Sequence, residues 1–261
     1  MNAFEAEGVE FDYGDKPVLK GATLAVPQGG VISLLGANGS GKSTLIRLLL
    51  GIQKPKKGQI RLLGKPLASY SRREIARLVA YVPQAASTPF AYTLKEVVLM
   101  GRTAHGSLLG GYSKTDHRMA DEALEALGIG NLSDRTYNAV SGGQRQLALI
   151  ARALSQESEI LIMDEPVTGL DYGNQQRLLE RVLNLAVNGK TVLKTTHFPD
   201  HALRVSDGVA VIHDGIVMTY GAPEMTVTPD VLREVYGVDA QIHHIGKHPV
   251  CLCTQGNRYV A

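Results

Sequence analysis

The sequence contains few cysteines, no long apolar run and almost no excess of either charge. Two cysteines among 261 residues do not support a disulfide framework, and free thiols are typical of a reducing compartment. No stretch approaches the roughly 18 apolar residues that a membrane-spanning helix needs, and the first seven residues lack the basic and apolar regions of a leader. A net charge of +2 leaves no polybasic tail for nucleic acid or anionic lipid. We therefore expect a cytosolic, soluble chain.

The composition also limits the architecture. A chain of 261 residues that is 44% hydrophobic and 20% charged suits one α/β unit with a helical insertion rather than several independent domains. The sequence has no internal repeat and no low-complexity segment. Function must therefore be sought in local motifs.

A glycine-rich segment directly follows the apolar run 31–35 and fits the pattern G-x-x-x-x-G-K-[ST]. A strand that enters such a turn and a helix that leaves it direct backbone amides at phosphate groups, and the lysine and hydroxyl side chains add a charge and a Mg²⁺ ligand. The alternative is a glycine loop that only caps a helix. The amphipathic residues after the motif favour phosphate binding. The candidate phosphate-binding residues are Gly36, Asn38, Gly39, Ser40, Gly41, Lys42, Ser43 and Thr44.

A second motif opens a later helix. Ser141 and Gln144 have the spacing of a capping box, and Gly142 and Gly143 leave the helix N-terminus open to an anion. Taken alone, this segment is more typical of an ordinary helix start.

A third motif, at 160–165, is a buried-strand pattern that ends in two carboxylates. Asp164 is suited to hold Mg²⁺ and Glu165 to polarise an attacking water, which is the division of labour that phosphoryl transfer requires. The alternative is a core strand followed by a solvated acidic turn. The glycine-rich motif upstream favours the catalytic interpretation.

The order and spacing of these motifs resemble the ATP-binding subunits of ABC transporters, over about residues 5–240. Four more positions match that family. They are Tyr13 for adenine stacking, Gln84 of the Q-loop, Asp171 of the D-loop and His197 as the switch histidine. Tyr13 also continues the period-two pattern of Val9 and Phe11, so it could simply extend a strand face.

The resemblance implies a division of roles. It implies ATP and Mg²⁺ as cofactors, with Ser43, Gln84 and Asp164 near the metal and Glu165, Gln84 and His197 in catalysis. It also implies that Ser141, Gly142, Gly143, Gln144 and Asp171 contact nucleotide, along with Tyr13 and residues 36–44. The activity implied is ATP hydrolysis coupled to transport.

The fold implied is an α/β P-loop NTPase of the ABC type, with an antiparallel β subdomain and an inserted helical subdomain. Residues 1–84 and 159–222 would form the nucleotide-binding core, 85–158 the helical subdomain and 223–261 a C-terminal extension. Local patterns add element positions. They indicate helices at about 42–52, 173–187 and 229–237, and a helix opened by a capping box of Thr93 and Glu96. They also indicate strands near 58–63, 79–82, 159–164 and 190–196, and a hairpin at 209–218 with an Asp-Gly turn.

The resemblance also implies partners. A second copy would close an ATP sandwich head to tail, and integral membrane permease subunits would hold the chain at the cytoplasmic face of the inner membrane, with an extracytoplasmic binding protein beyond them and no nucleic acid. The strip 89–102 is similar to importers of iron-siderophore, haem or cobalamin type, and also to molybdate and tungstate importers. Its apolar residues Phe90, Tyr92 and Leu99 could equally be subdomain core. A non-transport ABC ATPase is the remaining alternative, although tandem cassettes and a coiled-coil insertion are lacking.

The C-terminal extension carries Cys251 and Cys253, with His243, His244 and His248 nearby. This C-x-C pair with scattered histidines lacks the spacing of a structural zinc site. We therefore expect two free thiols and no metal in this segment.

Overall fold

The computed structural model describes residues 1–84, 90–106, 111–246 and 248–253. Its contacts divide the chain into two compact units, one formed by Met1–Ala68 with Val182–Ala261 and the other by Ser69–Arg181. The predicted helical subdomain, 85–158, falls within the second unit, which also includes the strands on either side of it. Pro89 of the predicted strip and residues 254–261 of the extension lie outside the described residues.

The first unit contains strands of three sheets together with helices. Its strands are β1 (Asn2–Tyr13), β2 (Lys16–Pro27), β3 (Gly30–Leu35), β4 (Lys57–Leu62), β5 (Lys65–Pro66), β8 (Thr191–Thr196), β9 (Gly208–His213), β10 (Ile216–Gly221), β11 (Ala240–Ile245) and β12 (His248–Cys253). Its helices are α1 (Lys42–Leu49), α7 (Pro199–Val205), α8 (Pro223–Thr226) and α9 (Pro229–Tyr236). The helix α6 (Tyr172–Val187) crosses the boundary between the units.

The strands of the first unit form an antiparallel sheet in the order β2-β1-β4-β5 and a run in the order β10-β9-β3-β8. Strand β3 lies between two parallel neighbours and is apolar apart from Ser33, as expected for a strand covered on both faces. The predicted Asp-Gly turn joins β9 to β10, with Asp214 and Gly215 both at positive φ. This part of the prediction is confirmed.

The C-terminal extension contains a β-hairpin that the sequence analysis did not predict. Strand β11 pairs with β12 in antiparallel register, and the Asp200 carboxylate of α7 accepts a hydrogen bond of 2.6 Å from the backbone N–H of Cys251. Ala240 joins the apolar core beneath α7 and α9, and Ile242 packs against it. Both thiols are free, and burial raises the pKa of Cys251.

The second unit contains a short parallel strand pair and a group of helices. Its elements are α2 (Arg72–Leu78), β6 (Val79–Val82), α3 (Leu94–Leu99), α4 (Lys114–Ala126), α5 (Gly142–Ser155), β7 (Ile160–Met163) and the first part of α6. Helices α3, α4 and α5 pack against one another, and α5 also packs on β6. The predicted capping boxes of Thr93 and Ser141 are confirmed, and Ser71 and Ser113 form two more.

The structure corrects one prediction from the sequence and decides one alternative that the sequence left open. Helix α1 ends at Leu49 rather than near residue 52, because Gly51 turns the chain at a φ of 65°. Leu99 is only 3% exposed, so for this residue the core alternative is correct.

Arg102, at the end of the predicted strip, is also internal. Its guanidinium donates to Asp116 at 2.9 Å, to Glu157 at 2.8 Å and to the backbone carbonyl of Ser155. Hydrogen bonds from Arg102 are the main reason that the pKa of Asp116 falls to about 2. Arg102 therefore ties α4 to the end of α5.

A lysine is buried in the central part of the first unit. Lys194 on β8 lies opposite Ser33 on β3 and is only 1% exposed, and this burial lowers its pKa to about 7. The pKa of His201 on α7 falls to about 4, first through burial and second through repulsion from Lys194. A charge at position 194 therefore opposes folding.

We predict that Lys194→Met stabilises the protein in a pH-dependent way. The lysine pKa of about 7 in the folded chain lies below the ordinary 10.5, so the folding penalty is complete below pH 7 and disappears as the pH approaches 10.5. The gain in unfolding free energy should be on the order of a few kcal/mol at pH 6 and should shrink at pH 10. Denaturant unfolding at both pH values measures it, with the exposed Lys65→Met as the control. A gain that does not depend on pH would contradict the assignment.

Candidate functional site

The glycine-rich loop leaves β3 and enters α1 through positions that admit no side chain. A Cβ on Gly36 would collide with the Ile212 carbonyl, and one on Gly41 would lie 2.8 Å from Leu19. Gly41 also has a φ of 108°, which residues with a Cβ rarely adopt. Glycine at these two positions therefore lets the loop fold tightly against β9 and β2.

The N-terminus of α1 is open to an anion. Gly41 is its N-cap and supplies no side-chain hydrogen bond, so the first-turn amides have no capping side chain. The Lys42 ammonium lies over the loop and donates to the carbonyls of Gly36 at 2.8 Å and Ala37 at 2.9 Å. An ammonium group and an uncapped helix start in one loop are the features that bind phosphate. The loop therefore fits a polyphosphate.

Tyr13, at the end of β1, lies beside α1 rather than within a buried strand face. Its ring is 45% exposed, and its hydroxyl accepts a hydrogen bond of 3.1 Å from Arg47 and pairs with Gln53. Partial burial acts to raise the pKa of Tyr13, but hydrogen bonds with Gln53, Arg47 and Thr44 outweigh it and lower the pKa. A ring that is exposed and fixed beside the phosphate-loop helix is available for base stacking.

His197 follows β8 directly next to the glycine-rich loop. Leu35 and Thr196 are paired residues at the ends of β3 and β8, and the Gly36 N–H donates to the Thr196 carbonyl at 3.4 Å. The first residues beyond both strands are therefore neighbours. The His197 ring also lies 4.1 Å from that of Phe198.

In the second unit, the pairing of β6 with β7 brings a glutamine and two acidic residues together. Val82 is paired with Met163, and the Asp164 N–H donates to the Val82 carbonyl at 2.8 Å. The Gln84 side-chain amide then donates to the Glu165 carboxylate at 3.0 Å. Both acidic residues are largely buried, since Asp164 is only 4% exposed and Glu165 only 7%.

Glu165 is also held by the turn that it begins. Its φ of 45° is unusual for a residue with a side chain, and strain of this kind is typical of functional sites. The Thr168 N–H closes the turn by donating to the Glu165 carbonyl at 3.1 Å, and the Thr168 hydroxyl lies 3.4 Å from the carboxylate. Glu165 therefore occupies one defined position beside Gln84.

The Ser-Gly-Gly-Gln segment lies next to the turn that follows Glu165. Ser141 Oγ accepts from the Gln144 N–H at 3.2 Å, and the Gln144 side chain accepts from the Ser141 N–H at 3.0 Å. A Cβ on Gly143 would lie 3.3 Å from the Gly169 carbonyl, so the helix start and this turn are in close contact. Ser141 and Gly142 are exposed.

Asp171 caps helix α6. Its carboxylate accepts from the Asn174 N–H at 2.8 Å and from the Asn174 side-chain amide at 2.7 Å. The backbone hydrogen bond is the main reason that the pKa of Asp171 lies below its usual value. Asp171 is therefore an ionised, exposed cap at the end of the turn.

The structure adds residues that the sequence did not indicate. Arg47 and Gln53 fix Tyr13, and Gln146 on α5 donates to the Pro83 carbonyl at 3.5 Å, one residue before Gln84. Arg47 and Gln146 lie on predicted helices, but no sequence pattern identified their partners. Gln146 links the helix that starts at Ser141 to the segment that positions Gln84.

The predicted site residues thus form two groups, one in each unit. The first unit brings Tyr13 and His197 to the 36–44 loop, which is suited to bind a nucleoside polyphosphate. The second unit brings Gln84, Asp164 and Glu165 together, with the 141–144 and 168–171 segments in contact beside them. This group offers hard oxygen ligands and a carboxylate base, which are the requirements of metal-assisted phosphoryl transfer.

Comparisons with known proteins agree with this chemistry. The family model described as ABC transporter matches residues 19–168. The iron(3+)-hydroxamate import ATP-binding protein FhuC of Bacillus subtilis is 35% identical over 97% of this chain and 95% of its own length. The hemin import ATP-binding protein HmuV of Pseudomonas putida is 36% identical over 95% of this chain and 98% of its own length.

Two solved structures are also similar. An inward-facing metal-chelate-type ABC transporter has a chain with a TM-score of 0.84 and 29% identity, and the match covers 99% of both chains. An ATP-binding cassette of an ABC transporter in its ADP conformation has a TM-score of 0.78 and 26% identity, over 90% of this chain and 98% of its own. The fold is therefore that of these ATPases, a mixed α/β unit with an antiparallel sheet and a helical insertion.

We predict that Lys42→Ala weakens ATP binding without unfolding the chain. The substitution removes the ammonium from the loop but leaves its glycines and the helix start, so ATP affinity should fall by about tenfold or more, the loss typical of a charge-assisted contact. Calorimetric titration with ATP measures it. The control is Lys20→Ala, which breaks an exposed ion pair with Asp214. Equal ATP affinities in both variants would show that the loop does not bind phosphate through Lys42.

Proposed function

The chain belongs to the ABC transporter family as one of its ATP-binding subunits, and we propose that the ATP it hydrolyses powers import of a metal chelate through a separate membrane permease. The single observation that supports this most strongly is the hydrogen bond between Gln84 and Glu165 at the end of a parallel strand pair. This hydrogen bond joins Gln84, which precedes the inserted helices in the chain, to Glu165, which is the candidate general base. Relatives named for import of iron hydroxamate, haem and ferric enterobactin support the class of cargo.

ATP binds at the 36–44 loop in this proposal. The first-turn amides of α1 and the Lys42 ammonium receive the phosphates, and the Tyr13 ring stacks on adenine. The loop residues Gly36, Asn38, Gly39, Ser40, Gly41, Ser43 and Thr44 surround the phosphates. Ser43, Asp164 and Gln84 carry the oxygen atoms that would hold Mg²⁺, and the ion would neutralise negative charge on the phosphates.

Hydrolysis depends on Glu165 as the general base. The carboxylate is buried and oriented by Gln84 and Thr168, so it can accept a proton from a water aligned with the γ-phosphate. His197, next to the start of the phosphate loop, is positioned to donate to the γ-phosphate oxygens as charge develops there. Phosphoryl transfer to water requires both functions, a base that takes the proton and a donor that balances the developing charge.

A second copy of the chain completes the site. Ser141 and the exposed start of α5 face solvent, where their hydroxyl and amides can cover the γ-phosphate held by a partner copy. Gly142, Gly143 and Gln144 shape this surface, and Asp171 lies close to it. Two ATP molecules would then be enclosed between two chains arranged head to tail. Loss of the γ-phosphate removes the bridge and releases the closed dimer.

The permease is the transport partner. Within the described residues, no helix is long and apolar enough to cross a bilayer. In the second unit, the Phe90 side chain is 62% exposed and packs beside Tyr92 with ring centroids 5.7 Å apart, and Met100 is also exposed. Exposed apolar side chains of this kind support a docking surface for a cytoplasmic segment of the permease. The chain would then be peripheral at the cytoplasmic face of the membrane, and an extracytoplasmic binding protein would deliver the cargo to the permease.

We predict that Glu165→Gln slows ATP hydrolysis by about two decades or more while ATP still binds, because general-base catalysis contributes roughly this factor. With ATP and Mg²⁺, the variant should accumulate as a dimer on size-exclusion chromatography. Adding Ser141→Arg to it should restore the monomer, because the arginine fills the space meant for the partner's γ-phosphate. Glu122→Gln, an exposed change on α4, is the control. Near-normal turnover in Glu165→Gln would remove Glu165 from the mechanism.

We predict that Phe90→Asp detaches the chain from its permease or uncouples the two, while ATP hydrolysis by the isolated chain is retained. A charge on an exposed apolar side chain disrupts an interface but costs the folded monomer little. The measurements are co-purification with the permease and uptake of ferric hydroxamate into vesicles. Met225→Asp, at another exposed apolar side chain, is the matched control. Normal assembly and uptake in Phe90→Asp would exclude this side chain from the docking surface.

A further inference from the structure

The second unit contains a cleft that the proposed function does not use. It has a volume of about 430 Å³ and lies between α5, α6 and the turn after α4. This volume is within the range of about 300–1,000 Å³ that is typical of small-molecule sites. One wall is apolar and is formed by Leu127, Ile129, Leu147 and Leu178.

A cationic wall of the cleft belongs to α6 and is formed by Asn174, Arg177 and Arg181. These residues are spaced by three and four positions, so they share one face of the helix. Two guanidinium groups one turn apart on that face point to an anionic ligand. They match the two oxygens of a carboxylate or phosphate.

The positive charge of this wall is not balanced within the cleft. No aspartate or glutamate is among the described residues that line it, and no ion pair of the described chain includes Arg177 or Arg181. Arg177 donates to the Asn174 side chain at 2.9 Å and lowers the pKa of the nearby Asp171 only as a minor cause. Arg181 is half-buried and forms no hydrogen bond within the described residues.

We propose that this cleft binds a small amphipathic anion, with its oxyanion head on Arg177 and Arg181 and its apolar body against the leucine and isoleucine wall. Burial of the apolar body and charge-assisted hydrogen bonds would act together. Gln144 also lines the cleft, and the same side chain caps the start of α5. The ligand would therefore contact the Ser-Gly-Gly-Gln segment through Gln144. This site is separate from the 36–44 loop, and its existence does not depend on the proposed function.

Isothermal titration of the full chain with octanoate, below its micellar range, tests the site. Octanoate should bind saturably at one site per chain, and monooctyl phosphate should do the same, since both carry an oxyanion head. Octylammonium has the same apolar body with the opposite charge and should not bind. Added salt should weaken octanoate binding, because part of the attraction is between charges. ATP at saturating concentration should not displace octanoate.

Variants locate the site. Arg181→Gln should weaken octanoate binding by about tenfold or more, the loss typical of a charge-assisted hydrogen bond. Arg118→Gln, at an exposed arginine of α4 outside the cleft, should bind as the unmodified chain does. Asn131→Trp, at an exposed position of the rim, should block entry while leaving the melting temperature unchanged. This second variant tests the site even if Arg181→Gln unfolds.

Four results would overturn the proposal. They are the absence of saturable octanoate binding, equal binding of octylammonium, displacement of octanoate by ATP, and octanoate affinities that are the same in Asn131→Trp and Arg118→Gln. The first would show that the cleft has no affinity for such anions. The second would show unspecific apolar adsorption. The third would place the anion at the nucleotide loop, and the fourth would place it elsewhere on the surface.

Discussion

Parallel pairing of strand ends is the constraint on which the chemistry of this protein depends. In a parallel pair, the chain leaves both strands at the same edge, so the residues that follow them become neighbours. The pairing of β3 with β8 brings His197 to the start of the phosphate loop, and the pairing of β6 with β7 brings Gln84 to Glu165. Neither contact involves residues close in sequence. The backbone hydrogen bonds of the strands therefore fix side chains that have no local reason to meet.

Glycine has a complementary role at these edges. At Gly36 and Gly41 a side chain would collide with a neighbouring segment, and at Gly143 it would crowd the Gly169 carbonyl, so glycine lets the backbone itself approach. The same open backbone that allows close packing also presents N–H groups at the starts of α1 and α5. Close packing and accessible N–H groups are thus two results of the same missing Cβ atoms.

The sequence predicted the features that depend on local order. The glycine loop, the capping boxes at Thr93 and Ser141 and the acidic end of β7 each lie within a few consecutive residues, where spacing alone indicates the structure. It did not predict Arg47 and Gln53 as partners of Tyr13, and it left the burial of Leu99 undecided, because these depend on packing between distant segments. The β11–β12 hairpin was missed for another reason. Its histidines and cysteines gave no clear alternation of apolar and polar residues, although its inner face completes a core beneath α7 and α9.

Asp171 couples an exposed turn to the order of a helix. Its carboxylate already accepts two hydrogen bonds from Asn174, so any molecule that recruits those oxygens must compete with the first turn of α6. Contact at this turn would weaken the hydrogen bonds that hold the first turn of α6, and the amide protons there would exchange with solvent more rapidly. Proton exchange at the beginning of α6 is therefore an internal reporter of whether a neighbouring molecule has engaged Asp171.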